Sequence, residues 1–350
     1  MNPITFSATE ILALPDGEPG FLYSDDSALA KTEYKRLLLK WHPDQSKHPQ
    51  GDEIVTKIKR LHDLAEVWFQ ERFWRSKHHL ALHSLDDHSY RIYFRKSYQF
   101  ELGEFFVSDT TVVYLIKKTF RTLFDNAVAQ INGLKYGNPS VEKEISKCMP
   151  KIKKFFETTD WLVLVIEKTP DLFLLRDVCD FYKGVVPDRH TTWILSRLHN
   201  LTCYLQHSTM GAFYQHGDIS PDTVFISPTI HGAALLGGWW YSTSLGNKMI
   251  GLPKRSLNLL PLEVKTSKLA DTRLDLALIR ATGRELLGDP SGVNLLASGV
   301  APKPLCNWLR YASTGDATKD YAAWEKVREA SYGERKFIKM EVTDRDIYEI

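Results

Sequence analysis

The 350 residues are more than one average domain and fewer than three, and a composition of 43% hydrophobic and 25% charged residues excludes a largely disordered, collagenous or coiled-coil chain. A net charge of +2 excludes nucleic-acid binding through bulk charge alone. No apolar run approaches the roughly 18 residues that span a bilayer, and the opening MNPITFSATE has neither a basic start nor an apolar core of the secretory kind, so the cytoplasm is the expected compartment. Cys148, Cys179, Cys203 and Cys306 are scattered without a metal-like or disulfide spacing, which predicts free thiols.

Residues 1–75 read as helical. A short helix over 8–14 is stopped by Pro15-Asp16-Gly17. Residues 27–41 carry Leu29, Tyr34, Leu37, Leu38 and Trp41 at helical spacing behind the acidic start Asp25-Asp26, and Pro43 ends the run. A polar loop over 44–51 leads to a second amphipathic helix over 52–69, with Ile54, Ile58, Leu61, Ala65 and Trp68 on one face. Residues 76–89 turn polar and histidine-rich. His79 and His83 stand four apart, but no further ligand sits at a convincing spacing, so a solvated linker is expected rather than a metal site.

Strand-like segments follow over 98–107, 111–117, 161–166 and 172–175, interrupted by one helical segment over 140–156. From Thr191 onward helical patterns dominate. Strands with one helix, followed by a mostly helical half, predict an α+β architecture of two lobes.

Two stretches resemble known families. Tyr34-Lys35-Arg36-Leu37-Leu38-Leu39-Lys40-Trp41-His42-Pro43-Asp44 resembles the second helix and signature loop of J-domains, the DnaJ/Hsp40 co-chaperone module, and the flanking helices match in order and spacing. The resemblance implies a three-to-four-helix J-domain over 1–75 whose His42-Pro43-Asp44 loop triggers ATP hydrolysis by an Hsp70, DnaK in bacteria. A physical reading agrees with it. Lys31, Lys35, Arg36 and Lys40 form a basic strip opposite the apolar face, and between Lys31 and Lys47 five basic residues stand against two acidic ones. Such a strip suits an acidic partner surface.

The segment His216-Gly217-Asp218-Ile219-Ser220-Pro221-Asp222-Thr223-Val224-Phe225-Ile226 is similar to the catalytic loop of the protein-kinase superfamily, with the glycine of aminoglycoside and choline phosphotransferases in second place. By this resemblance Lys117, in Tyr114-Leu115-Ile116-Lys117, is the ATP-binding lysine, and Glu142 or Glu144 is its ion-pair partner. Asp218 is the base, and Asp275 anchors the loop from below. The kinase-like region would run over 90–350, with an N-lobe over 90–178, a C-lobe over 179–335 and a tail over 336–350.

The departures from the pattern concern the chemistry itself. Thr223 and Gly237 stand where the family has its two magnesium ligands, Ser220 replaces a lysine or histidine, and Gly103 is the only glycine before Lys117 in its strand pair. Phosphoryl transfer depends on metal ions between the phosphates, so their loss implies a pseudokinase: no enzyme, no metal, no required cofactor, and at most weak nucleotide binding through Lys117. An atypical phosphotransferase is the alternative, with Asp222 as a substitute metal ligand. On the favoured reading the chain brings Hsp70 to a protein client, and no nucleic acid or membrane is a partner.

Overall fold

The structure, a computed structural model, describes residues 3–207 and 213–348; the first two residues and the last two of the expected tail lie outside them. The chain begins with α1 (Ala8–Ala13), α2 (Ser27–Trp41), the single turn α3 (Pro43–Ser46) and α4 (Gly51–Gln70). Each start has its chemical cause. Ser7 and Glu10 form a reciprocal capping box on α1, and the Asp26 carboxylate accepts the Leu29 N–H at 2.8 Å on α2. Ile11, Ala30, Leu37, Trp41, Ile54, Ile58, Leu61, Ala65 and Trp68 are all buried together, with Tyr34 and Leu38 packed against them, whereas Leu29 of the expected α2 face is exposed and Ala30 is buried beside it in sequence. Residues 44–51 are not wholly a loop, because Pro43 fixes the backbone for a first helical turn that Lys47, in left-handed conformation at φ 47°, closes.

The same core continues into β1 (Phe73–Ser76), where Trp74 stacks on Phe69 with ring centroids 4.7 Å apart. With β2 (His79–His83) and β3 (Ser89–Tyr93) it forms a three-stranded antiparallel sheet in the order β1-β2-β3. The expected solvated linker over 76–89 is therefore a folded strand and its turns. Leu80 and Leu82 alternate with His79, Ala81 and His83, and both leucines are buried against Phe94, Phe106, Val113, Leu115 and Val163. Four residues along a strand span roughly 13 Å, so His79 and His83 cannot share a metal. His83 instead meets the Ser89 hydroxyl at 3.0 Å.

A five-stranded antiparallel sheet comes next, in the order β4-β5-β6-β8-β7: β4 (Lys96–Phe100), β5 (Gly103–Val107), β6 (Thr111–Lys117), β7 (Ile152–Glu157) and β8 (Trp161–Glu167). The single strand expected over 98–107 is a hairpin turning at Glu101-Leu102, where a side chain on Gly103 would collide with the Leu115 carbonyl oxygen. The helix expected over 140–156 is corrected as well: α5 (Arg121–Asn132) and α6 (Pro139–Ile145) precede Pro150, and residues after it pair as the edge strand β7. Pro150 cannot donate within a helix, and the sequence after it pairs against β8 instead.

The remainder is mostly helical. It runs through β9 (Phe173–Leu174), α7 (Leu175–Phe181), α8 (Asp188–Gln206), β10 (Tyr214–Gln215), β11 (Phe225–Ser227), β12 (Gly232–Ala234) and β13 (Thr243–Ser244) to α9 (Leu262–Ser267), α10 (Thr272–Leu286), α11 (Leu295–Ser298), α12 (Lys303–Arg310), α13 (Ala317–Tyr332) and α14 (Asp344–Tyr348). One hydrophobic core joins it to the inner face of the five-stranded sheet, from Leu102, Tyr114 and Ile116 through Ile194, Trp239 and Leu278 to Trp324. Among the described residues no helix is long and apolar enough to cross a membrane.

Candidate functional site

Two places carry the residues that the sequence singled out. At the first, α2 ends because Pro43 cannot continue it, and His42 serves both sides of the break. Its carbonyl accepts the N–H of Gln45 and of Ser46 at 2.9 Å each, and its Nδ1 lies 3.3 Å from the Asp44 N–H and 3.5 Å from the Asp44 carboxylate. The turn is thus fixed by its own backbone while the Asp44 side chain stays 88% exposed. The basic strip divides. Lys40 donates to the carbonyls of Ile4 and Phe6 at 2.7 and 2.9 Å, and Lys31 reaches Glu66 at 3.7 Å. Lys35 and Arg36 are exposed, and no hydrogen bond or ion pair holds either among the described residues.

The second place is a cavity of about 390 Å³ under the β4–β5 hairpin, bordered by Tyr98, Phe100, Tyr114, Asp218, Asp222, Trp240 and Arg255. The loop over 216–223 forms its floor. Asp275 holds this loop from α10: its carboxylate accepts the N–H of His216 at 2.7 Å and of Gly217 at 2.8 Å, and Gly217 takes φ 81° to allow it. Burial drives Asp275 up to about 7 despite those two N–H groups, and drives the His216 imidazole down to about 3, so His216 is neutral near pH 7.

Asp218 faces the cavity but is not free. The Arg255 guanidinium binds its carboxylate through both Nε, at 3.1 Å, and Nη2, and reaches Asp222 through Nη1 at 2.8 Å. Arg176 takes the other Asp222 oxygen at 2.8 Å and Glu285 at 2.5 Å. Burial raises the Asp218 carboxyl to about 6 against the pull of Arg255, whereas Arg176 and Arg255 overcome burial at Asp222 and hold it low. An Asp222 claimed by two guanidinium groups is not available as a substitute metal ligand.

Thr223 and Gly237, which the resemblance aligns with metal ligands, are both tightly enclosed. The Thr223 hydroxyl turns inward to the Asp218 carbonyl at 2.5 Å. A side chain at Gly237 would lie 2.9 Å from the Tyr114 hydroxyl oxygen and 3.2 Å from the Thr223 carbonyl. Among the described residues no group of three or more His, Cys, Asp or Glu side chains is arranged to hold a metal.

Lys117 and Glu144 are not brought to this cavity. Tyr114 and Lys117 are three apart on one strand and therefore face opposite ways. Tyr114 enters the core beneath the hairpin with Val112 and Ile116, while Lys117 stands exposed at the end of β6. Glu144 and Glu142 are exposed on α6, and Glu144 borders a different cavity beside Cys148 and Arg197. The nucleotide-binding role expected of Lys117 thus loses its geometry.

Two contacts close the hairpin over the cavity. Near its open end, the Tyr98 hydroxyl lies 2.7 and 2.6 Å from the oxygens of buried Asp177 on α7, with Lys96 Nζ at 3.1 Å. At its tip, Glu101 accepts from the Tyr241 hydroxyl and from the Lys254 N–H, the latter at 3.2 Å. Trp240 lies between them, 5.3 Å from the Tyr114 ring and 6.4 Å from Phe100. Strand parity would have placed Tyr114 here from the sequence; Arg255, in a short 3-10 helix over Lys254–Leu259, left no such signal.

Compared with protein-family models and with curated proteins, the chain has no match in either.

Proposed function

We propose that the protein is a cytoplasmic J-domain co-chaperone, which engages an Hsp70 of the DnaK type through His42-Pro43-Asp44 and stimulates its ATPase, while the kinase-like remainder is catalytically inactive and binds a client or assembly partner. The observation that carries the first half is the 42–44 turn. It is held by its own hydrogen bonds, solvent-facing, and preceded on α2 by two exposed cations, Lys35 and Arg36, that have no ion-pair partner among the described residues. A docking surface needs free charge in a fixed place more than it needs extra area.

Support for the second half is the cavity under the hairpin. Arg255 occupies the carboxylate that would act as base, β6 contributes Tyr114 and not Lys117 to the cavity lining, and Gly237 has no room for a metal-binding side chain. Without cations between the β- and γ-phosphates the transfer loses its main source of stabilisation. The atypical phosphotransferase would require Arg255 to leave both aspartates.

The test pairs the purified chain with a DnaK-type Hsp70. His42→Gln and Asp44→Asn each abolish stimulation of ATP hydrolysis while the far-UV circular dichroism and melting temperature stay unchanged, since the turn buries no side chain of either. Stimulation by either variant at the wild-type level removes the co-chaperone reading. Magnesium-dependent ATP binding that is lost in Asp218→Ala promotes the enzyme instead.

A further inference from the structure

β3 ends the three-stranded sheet, and its outer side has no partner strand among the described residues. Its pairing to β2 is flanked by the Phe94 N–H bonded to His78 and the His88 carbonyl bonded to Ser84. Hydrogen-bonded pairs alternate along an antiparallel ladder, so the even-numbered residues 90 and 92 bond to β2, and the N–H and C=O of Ser89, Arg91 and Tyr93 point to the open side. Five residues at about 3.3 Å each make an edge of roughly 17 Å.

That edge opens into a groove of about 1000 Å³. All residues from Tyr90 through Phe94 border it, those of both faces of the strand, which places the groove along the edge rather than over either face. Its floor is formed by the partly buried Val165 and Phe156 of the five-stranded sheet, over the buried Val113. Phe156 already stacks on Tyr90 with centroids 4.2 Å apart. The rim is basic. Arg91, Arg95, Lys153 and Lys154 border the groove against one carboxylate, Asp109. Arg91 and Arg95 are engaged by Asp25 and Asp344 at 2.8 and 2.7 Å, whereas Lys154 meets only the Tyr90 hydroxyl and ring, and Lys153 has no ion-pair partner among the described residues.

We infer that this groove takes an extended acidic segment of a partner protein, added to β3 as a fourth strand. The sheet supplies the main-chain bonds. Alternate apolar side chains of the segment rest on Val165 and Phe156, and acidic side chains between them meet Lys153 and Lys154. This surface is separate from the 42–44 turn and does not depend on an Hsp70 docking there.

The probe is a fluorescein-labelled ten-residue peptide of alternating valine and glutamate, titrated into the full chain and followed by anisotropy and amide hydrogen exchange. Saturable binding at about micromolar peptide is expected, with exchange at the Arg91 and Tyr93 amides slowed by about tenfold or more. Methylating the peptide nitrogens of one alternate set should weaken binding by about tenfold or more and methylating the other set should not, because only one set faces the edge. Lys153→Glu with Lys154→Glu should weaken it by about tenfold or more while Lys35→Glu leaves it unchanged. Equal effects of the two methylated peptides, protection elsewhere than β3, equally tight binding of a single-stranded oligonucleotide, or no saturable binding at about millimolar peptide would each overturn the inference.

Discussion

Asp44 and Asp218 follow histidines by two positions, in His42-Pro43-Asp44 and His216-Gly217-Asp218, and their surroundings are opposite. Asp44 is in water, and among the described residues its one ion pair is with the neighbouring His42. Asp218 is buried and clasped by Arg255. The difference shows what the fold spends on each turn. One is held by backbone geometry so that its side chain is left free, the other by a network of side chains that leaves nothing free.

The sharpest break of that contrast is Arg255→Ala. It removes the counter-charge from a buried carboxylate and should destabilise the chain by about 3 kcal/mol in urea unfolding at pH 8. The sign of the pH effect follows from the raised Asp218 carboxyl, at about 6. Below that pH the group keeps its proton in the folded state and needs no partner, so the cost of the substitution should shrink at pH 5. A cost that is constant with pH would mean that the pair contributes through packing. Asp44→Ala, by contrast, should change stability by less than about 0.5 kcal/mol.

A second test concerns His199 beneath α13. It is wholly buried, both ring nitrogens are without hydrogen bonds, and burial lowers it from 6.5 to about 3. Between those values the unfolded chain takes up a proton that the folded chain refuses, so stability falls with falling pH by about 1.4 kcal/mol per unit. His199→Phe should match the wild type at pH 8 and become the more stable of the two, by about that increment per unit, as pH falls below 6.5. Parallel stability profiles for the two proteins would show that His199 does protonate in place.

A smaller effect is expected at the hairpin. Tyr98→Phe should cost about 1 kcal/mol and speed amide exchange at Glu101 and Leu102, which the contact with Asp177 helps to hold down. Smallest in stability, Lys35→Glu with Arg36→Glu should leave unfolding within about 0.5 kcal/mol of wild type. The pair should nevertheless weaken Hsp70 association in surface plasmon resonance, and the wild-type association should itself weaken as salt rises, since exposed charges are screened beyond about 8 Å at physiological ionic strength.

What could be read in the sequence was whatever repeats with a period. The bounds of α2, α4 and β6 coincide with their sequence patterns to within a residue, as does the acidic start of α2, although Leu29 of its expected apolar face is exposed. Polarity concealed β2, where Leu80 and Leu82 alternate with two histidines, and lysines concealed β7, whose Lys153 and Lys154 belong to an exposed edge. At the cavity, position mattered more than residue type. Lys117, singled out for its charge, is exposed at the end of its strand, and Tyr114, three residues earlier, faces the cavity. Contacts between distant segments, such as Arg255 with Asp218 or Tyr98 with Asp177, have no local pattern to announce them.

Arg75 on β1 bonds to Glu18 beside the first helices and to Glu104 on β5 at the same time, and all three side chains are largely shielded from water. Gly20 lies so close to the Arg75 carbonyl that any side chain there would collide with it. The first helices are consequently bolted to the sheet rather than leashed to it. Whatever settles on the 42–44 turn arrives with a fixed heading toward the rest of the molecule, and lengthening the chain between them would not merely extend its reach: it would unseat Trp74 and Arg75 and turn a bracket into a tether.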